Sequence, residues 1–217
     1  IGDWSSDVCS SDLRREEYVE DCSDIDDIIV FTSNGDMIVT KVDSKKFVAK
    51  NILYVSVFKK RDSRTIYNMI YKEGKSGVSY IKRFNVTGVT RDKTYNLTSQ
   101  NPKTKILHFS ANPNGEAEIV TIQLRQSGSI KKLKWDLDFA DLAIKGRSVK
   151  GNIVSKYSVN KVIFKEKGLS TLKPRKIWFD DTVQRINVDD RGDLLGEFKP
   201  DDDLLIVQHS EIGRAHV

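Results

Sequence analysis

Residues 67–97 read YNMIYKEGKSGVSYIKRFNVTGVTRDKTYNL, and this stretch decides the fold. Two apolar runs, Ile66–Tyr71 and Val78–Phe84, alternate with polar residues and flank a turn containing Gly74 and Gly77. Alternation of that kind, bounded by glycine, is a hairpin signature. The second run ends in Lys82-Arg83, and a looser spacer then delivers Arg91 and Lys93. The plan of strand, turn, strand, basic end, spacer and returning strand recurs along the chain. Cations placed at equivalent points of a repeated β unit read as a modular surface for a polyanion.

Working outward, the same alternation marks Ile28–Phe31 with Met37–Val42, Ile106–Phe109 with Ile119–Leu124, Ile130–Phe139, Val162–Phe164, Lys176–Phe179 with Val183–Val188, and Leu204–Val207. Asn34-Gly35 and Asn114-Gly115 are predicted hairpin turns, because both residues tolerate positive φ. A helical turn is expected only near Phe139–Ala143. The strands group into four sets: Asp27 to Phe58, Thr65 to Phe109, Ala117 to Phe164, and Lys176 onward. Starts roughly 40–60 residues apart suit four-stranded propeller blades, with an irregular β-sandwich as the competing architecture.

Both ends look foreign. Residues 3–13 (DWSSDVCSSDL) and 212–217 (IGRAHV) resemble translated sequencing adapter. Segments 1–13 and 211–217 are therefore set apart from a β domain at 14–210, which is expected to be a piece of a longer protein. The whole chain carries a net charge of +5. Removing Asp3, Asp7, Asp12 and Arg214 makes the remainder more basic still. Cys22 is then the one cysteine left, in keeping with a reducing, cytoplasmic setting. No apolar run approaches the ~18 residues of a membrane span, so no membrane association is expected.

Catalytic signals are weak. His108 and His209 each sit in an apolar strand pattern, and no Ser/His/Asp set or metal-spaced His/Cys pair can be assembled. Gly74-Lys75-Ser76 lacks the glycine five residues upstream that a phosphate loop needs, since Met69 is there. It reads as a turn. The carboxylate groups Asp24/Asp26/Asp27, Asp180/Asp181, Asp189/Asp190 and Asp201–Asp203 fall at turns, where Asp bonds locally. Tyr54, Tyr67, Tyr71, Tyr80 and Tyr95 read as packing residues. No catalytic residue, metal ligand or cofactor is assigned to this stretch.

The cations are organised. We expect nucleic-acid contacts from Lys41 and Lys50 in the first unit, and from Lys82, Arg83, Arg91 and Lys93 in the second. In the third they come from Lys132, Lys145, Arg147 and Lys150. Segment 144–151 (IKGRSVKG) is the sharpest feature, because two glycines permit close backbone approach while three cations protrude. Loops of that kind grip phosphates without reading bases.

At these residues the chain resembles the C-terminal DNA-wrapping domain of bacterial type IIA topoisomerase A subunits, the family of DNA gyrase and topoisomerase IV. The resemblance is carried by CSDIDDIIVFTSNGDMIVTKV (22–42), TIYNMIYKEGKSGVSYIKRFNVTGVTRDK (65–93), DLAIKGRSVKGN (141–152) and PRKIWFDDTVQRINVDDRGDLLGEF (174–198). It is most similar to the topoisomerase-IV-like A subunits. The resemblance implies an all-β, propeller-like β-pinwheel of about four four-stranded blades, with a basic rim that bends double-stranded DNA. It implies an isomerase whose catalytic tyrosine lies outside this stretch. Its partners would be an ATPase B subunit together with a second copy of the A chain, and ATP and Mg²⁺ would serve the whole enzyme. Lys82, Arg83, Arg91 and Lys93 match the basic strand end and outer loop of one blade, and Lys145, Arg147 and Lys150 match the corresponding loop of the next. Gyrase carries a Gln-Arg-Arg-Gly-Gly-Lys-Gly box in its first blade. Segment 145–151 keeps only Arg147, Lys150 and Gly151 of it, in an inner repeat. That departure favours decatenation and relaxation over supercoiling. A propeller-like protein-interaction module, or a β enzyme whose site lies elsewhere, are the rival readings.

Overall fold

A computed structural model describes residues 18–99, 101–126, 128, 130–200, 202–207 and 212–216. Segment 1–13 lies outside the described residues, and so do His209 and Asp201. The first two sets of strands are β1 (Asp27–Thr32), β2 (Asp36–Lys41), β3 (Ile52–Phe58), β4 (Ile66–Lys72), β5 (Ser79–Asn85), β6 (Thr94–Asn96) and β7 (Lys105–Asn112). There follow β8 (Glu116–Leu124), β9 (Lys134–Asp138), a 3₁₀ turn (Phe139–Asp141), β10 (Ile144–Gly146), β11 (Asn152–Ser155) and β12 (Val159–Ser170). The last are β13 (Arg175–Asp180), β14 (Arg185–Asn187), β15 (Asp193–Phe198), β16 (Asp203–Val207) and β17 (Ile212–His216). The all-β, bladed architecture matches expectation, and among the described residues so does the one helical turn, at Phe139–Asp141. Part of segment 211–217, set aside in the sequence, pairs as β17 with β16.

The blade-like sheets follow one another along the chain, in strand orders β3-β1-β2-β6, β10-β5-β4-β7, β12-β8-β9 and β14-β13-β15. β11 also pairs with β5. In each of the first three sheets the earliest strand is central, with its hairpin partner on one side and the returning strand on the other. Two sheets are completed from outside. β6, from the second set, pairs antiparallel with the start of β2, Met37 opposite Tyr95. β11, from the third set, pairs antiparallel with the start of β5, Ile153 opposite Tyr80, and β10 runs parallel to the end of β5. Each of these sheets thus borrows an edge from the next set.

The sheets stack through two apolar clusters. Ile29, Phe31, Met37 and Val39 of the first sheet meet Tyr67, Met69, Tyr71 and Phe84 of the second. Ile70 and Ile81, on the opposite face of the second sheet, meet Val120, Ile122 and Phe139 of the third. Strands β4 and β5 are therefore buried on both faces. Phe31 is the centre of the first cluster, 4.7 Å from the rings of both Tyr67 and Phe109. Full burial of one such ring stabilises by about 1.5–3 kcal/mol, with ~0.5–1.5 kcal/mol more for each well-placed aromatic pair.

One turn works differently from its sequence reading. Asn34-Gly35 closes the β1–β2 hairpin, with Gly35 N donating to Thr32 O at 3.0 Å. Asn114-Gly115 also forms a turn, with Gly115 N donating to Asn112 O, but it joins two sheets. β7 pairs with β4, whereas β8 pairs with β9 and β12. The expected pairing of Ile106–Phe109 with Ile119–Leu124 is thus corrected. Local turn chemistry fixes the reversal of the chain, and burial decides which strands pair across it.

Candidate nucleic-acid interface

The basic end of β5 is where the structure departs most from the sequence. A central strand covered on both faces has no solvent side, so the cations in its alternating pattern turn inward. Lys82 is 4% exposed and Arg83 is 1% exposed. Lys82 Nζ donates to Leu97 O at 2.6 Å, Arg147 O at 2.6 Å and Val149 O at 3.1 Å. It also lies 4.7 Å over the Phe84 ring. Burial pushes its pKa down to about 8. Arg83 donates to Asn68 Oδ1 and to the carbonyls of Phe139, Gly115 and Glu116 at 3.0–3.4 Å, tying the second sheet to the third. Burial holds its pKa below the usual arginine range. The reading of both as phosphate contacts is corrected. All three Lys82 donors and four Arg83 hydrogen bonds go to protein acceptors, because buried polar groups must be paired.

The segment that Lys82 holds is the basic loop 144–151. Gly151, at φ +96°, lies so close to β5 that a Cβ would sit 2.4 Å from Ile81 O. The close approach that glycine permits is therefore made to the protein's own strand. The Tyr71 hydroxyl donates to Lys150 O at 2.8 Å. Lys150 Nζ pairs with Glu73 Oε1 at 3.0 Å and lies 4.4 Å over the Tyr80 ring. Tyr80 first, and Glu73 next, hold the ammonium well above its ordinary pKa. Glu73 is a buried hub that accepts from Ser76 at 2.6 Å, Ser99 at 2.5 Å and Asn101 at 2.9 Å. Those serines, with Lys150, lower its pKa to about 2.

Tyr95 joins this loop to the other borrowed segment. The Arg147 guanidinium stacks 4.4 Å over its ring and donates to Gly88 O at 2.6 Å, while Lys93 Nζ lies 5.5 Å from the same ring. Thr90 N donates to the Tyr95 hydroxyl at 2.8 Å, and hydrogen bonding by the Thr90 side chain first, with this backbone bond next, lowers the phenol's pKa. A few residues away Arg91 Nε lies 2.7 Å from Asp27 Oδ1, with Lys60 at 3.8 Å from the same carboxylate group. Asp92 bonds Thr40 at 2.6 Å and pairs with Lys46 at 3.0 Å.

The two borrowed segments therefore bring Lys93 and Arg147 together on Tyr95, with Lys145 and Lys150 in the same basic segment as Arg147 and with Arg91 two residues before Lys93. Lys41, at the adjoining end of β2, is exposed, and so are Lys50 just before β3 and Lys132 just before β9. Lys132 leads into β9, an edge strand of the third sheet. Among the described residues, Lys41, Lys50, Lys93, Lys132 and Lys145 have no carboxylate in ion-pair reach. Tyr95, Tyr80, Glu73 and Lys60, which hold or neighbour these cations, do not stand out in the sequence. The spacing Arg91-Asp92-Lys93-x-Tyr95 was their available signal, since an aromatic beside cations is a platform for them.

Nothing else among the described residues resembles a reaction centre. Asp26, Asp180, Asp181 and Asp202 accept local bonds in turns. No group of three His, Cys, Asp or Glu among the described residues is arranged to hold a metal. His108 Nε2 bonds Glu118 Oε2 at 2.9 Å between the second and third sheets, so it serves packing. Cys22 is free and exposed. No helix among the described residues is long and apolar enough to cross a membrane.

The family model for the topoisomerase C-terminal domain of Bacteroidota matches residues 2–167. The match takes in most of the N-terminal segment that looks foreign and ends inside β12. A curated relative, the A subunit of DNA topoisomerase 4 from Borreliella burgdorferi (strain B31), is 27% identical over 150 residues. The alignment covers 69% of this chain and 22% of the relative, so the chain spans about a fifth of that protein's length.

Proposed function

The chain belongs to the topoisomerase C-terminal domain family of Bacteroidota, and on that premise we propose that it binds and bends duplex DNA for the A subunit of a type II topoisomerase. The observation that carries this reading is the pair of borrowed segments. They place Lys93 and Arg147 on the Tyr95 ring and Lys150 on the Tyr80 ring, with Glu73 paired to Lys150 and Lys145 exposed in the same basic segment. Cations held half-exposed on aromatic faces keep their positions while presenting N–H edges outward. Such contacts grip phosphates and read no sequence.

The mechanism is electrostatic. Each neutralised phosphate releases counterions, so log affinity falls against log salt with a slope of about −0.9 per contact. Bending a short duplex around successive sheets costs roughly 1–6 kcal/mol, offset by the contacts that the bend permits. The bent duplex is then offered to a cleavage core carried elsewhere in the enzyme. A second copy of the A chain, an ATPase B subunit, ATP and Mg²⁺ complete the reaction. The incomplete glycine-rich box at 145–151, and the topoisomerase 4 name of the relative, favour decatenation and relaxation. The setting is cytoplasmic.

The test is ligation of a nicked circular plasmid in the presence of the purified 217-residue chain, with topoisomers read after protein removal. A shifted linking number is expected. Reversing Arg91, Arg147 and Lys150 to Glu removes the shift while the fold is retained. Arg83 is left alone because it is buried. Binding with no shift, insensitive to these reversals, would favour a protein-interaction module.

A further inference from the structure

We propose that Lys82 positions the duplex-binding surface from inside the protein, by fixing both basic segments to one point of β5, and that it touches no nucleic acid. The inference rests on the duplex-binding reading above. Its basis is the geometry of one ammonium group. Of the three acceptors, Leu97 O follows β6 in the segment that carries Lys93 and Tyr95. Arg147 O and Val149 O belong to the loop that carries Lys145, Arg147 and Lys150. An ammonium has three N–H donors, and here each has one carbonyl. Lys82 therefore sets the separation of the two segments, and the stacking of Arg147 on Tyr95 requires that separation.

Two features set this apart from ordinary core packing. First, no carboxylate pairs with Lys82 among the described residues. A buried charge is costly unless it is well paired or hydrogen-bonded, and here the borrowed segments supply the acceptors. Second, the loop's other anchors converge on the same place. Tyr71 donates to Lys150 O, and Gly151 abuts Ile81 O, one residue from Lys82. The cations on the outside thus inherit their spacing from a cation that solvent does not reach.

The experiment compares the full chain with Lys82→Met in three readouts: near-ultraviolet circular dichroism for the fold, amide exchange of residues 88–97 and 145–151, and salt-dependent affinity for a short labelled duplex. Exchange should rise in both segments together. The salt slope should shrink by more than the ~0.9 of one phosphate contact, and affinity should drop about tenfold or more. A slope loss of about 0.9 with unchanged exchange would make Lys82 a direct phosphate contact and overturn the proposal. Lower thermal stability with affinity and slope unchanged would reduce it to a core residue, which also overturns it. If Lys82→Met does not fold, Tyr71→Phe replaces it. Exchange should then rise in 145–151 alone with a several-fold affinity loss, and unchanged affinity despite that rise would defeat the idea. Failure of the unmodified chain to bind duplex would instead sink the functional reading, and that result needs no variant.

Discussion

In the second sheet, Tyr67, Met69 and Tyr71 are buried on one face and Ile70 and Ile81 on the other, while in the fourth only Ile177 is buried. Yet its Lys176–Phe179 and Val183–Val188 runs carry alternation of the same kind, and Leu194 and Leu195 of β15 remain 54% and 45% exposed. Strand composition alone does not account for this contrast. The second sheet is flanked by two neighbours and completed by β10 and β11. The fourth sheet, among the described residues, neither lends nor receives a strand. Its 188–192 link is a tight turn, held by Asn187 accepting from Asp189 N and Arg191 N. Too short to reach another sheet, it leaves the edge strand β14 open. The family match also ends at residue 167, just before this poorly buried region begins.

The comparison can be broken most forcefully at Phe31. Phe31→Ala should destabilise by about 3–5 kcal/mol, as a cavity in a ring cluster does, and urea titration followed by tyrosine fluorescence would show it. A loss below about 1 kcal/mol would mean that the first two sheets are packed no better than the fourth. Next comes Arg83→Met, which strips donors from Asn68 and three carbonyls at the joint of the second and third sheets. A loss of about 2–3 kcal/mol is expected, with exchange rising at 112–116 and 139–142. A smaller effect is expected from Glu73→Gln, and it sharpens the comparison through pH. Because the Glu73 pKa is lowered from 4.5 to about 2, its stabilisation is complete above pH ~4.5 and is lost as pH falls toward 2. Glu73→Gln should lower stability at pH 7 and flatten the acid limb of an equilibrium unfolding series. An acid limb identical in both proteins would show that the borrowed loops add nothing to the second sheet. The smallest effect belongs to Leu194→Ala in the fourth sheet, within about 0.5 kcal/mol. A core-sized loss there would reveal a partner surface on that face.

Much of this was legible in the sequence. The β1–β2 and β4–β5 hairpins, the four sets of strands and the turn at Phe139 all follow from alternation and turn residues. The borrowed strands were not legible. β6 and β10 have three residues each, too few for a period to show, and their partners are set by open edges far away in sequence. The site was half legible for a related reason. Arg91, Lys93, Arg147 and Lys150 lie in links and Lys145 on the short edge strand β10, where polar residues face water. Lys82 and Arg83 lie in a strand whose two faces are both covered, and residue type there predicts the wrong side. Only the knowledge that β5 has neighbours on both faces tells the two cases apart.

The borrowed edges also order events during synthesis. The second sheet cannot be completed when its own strands are made, because the loop that Lys82 ties down lies downstream. Lys82 and Val149 are 67 residues apart, a wait of roughly 3–13 s at ribosomal speeds of about 5–20 residues per second. Until then β5 emerges with an unpaired edge and a lysine whose acceptors do not yet exist. The nascent chain must keep that edge from pairing elsewhere, and the charge on Lys82, still in water at that stage, resists premature burial.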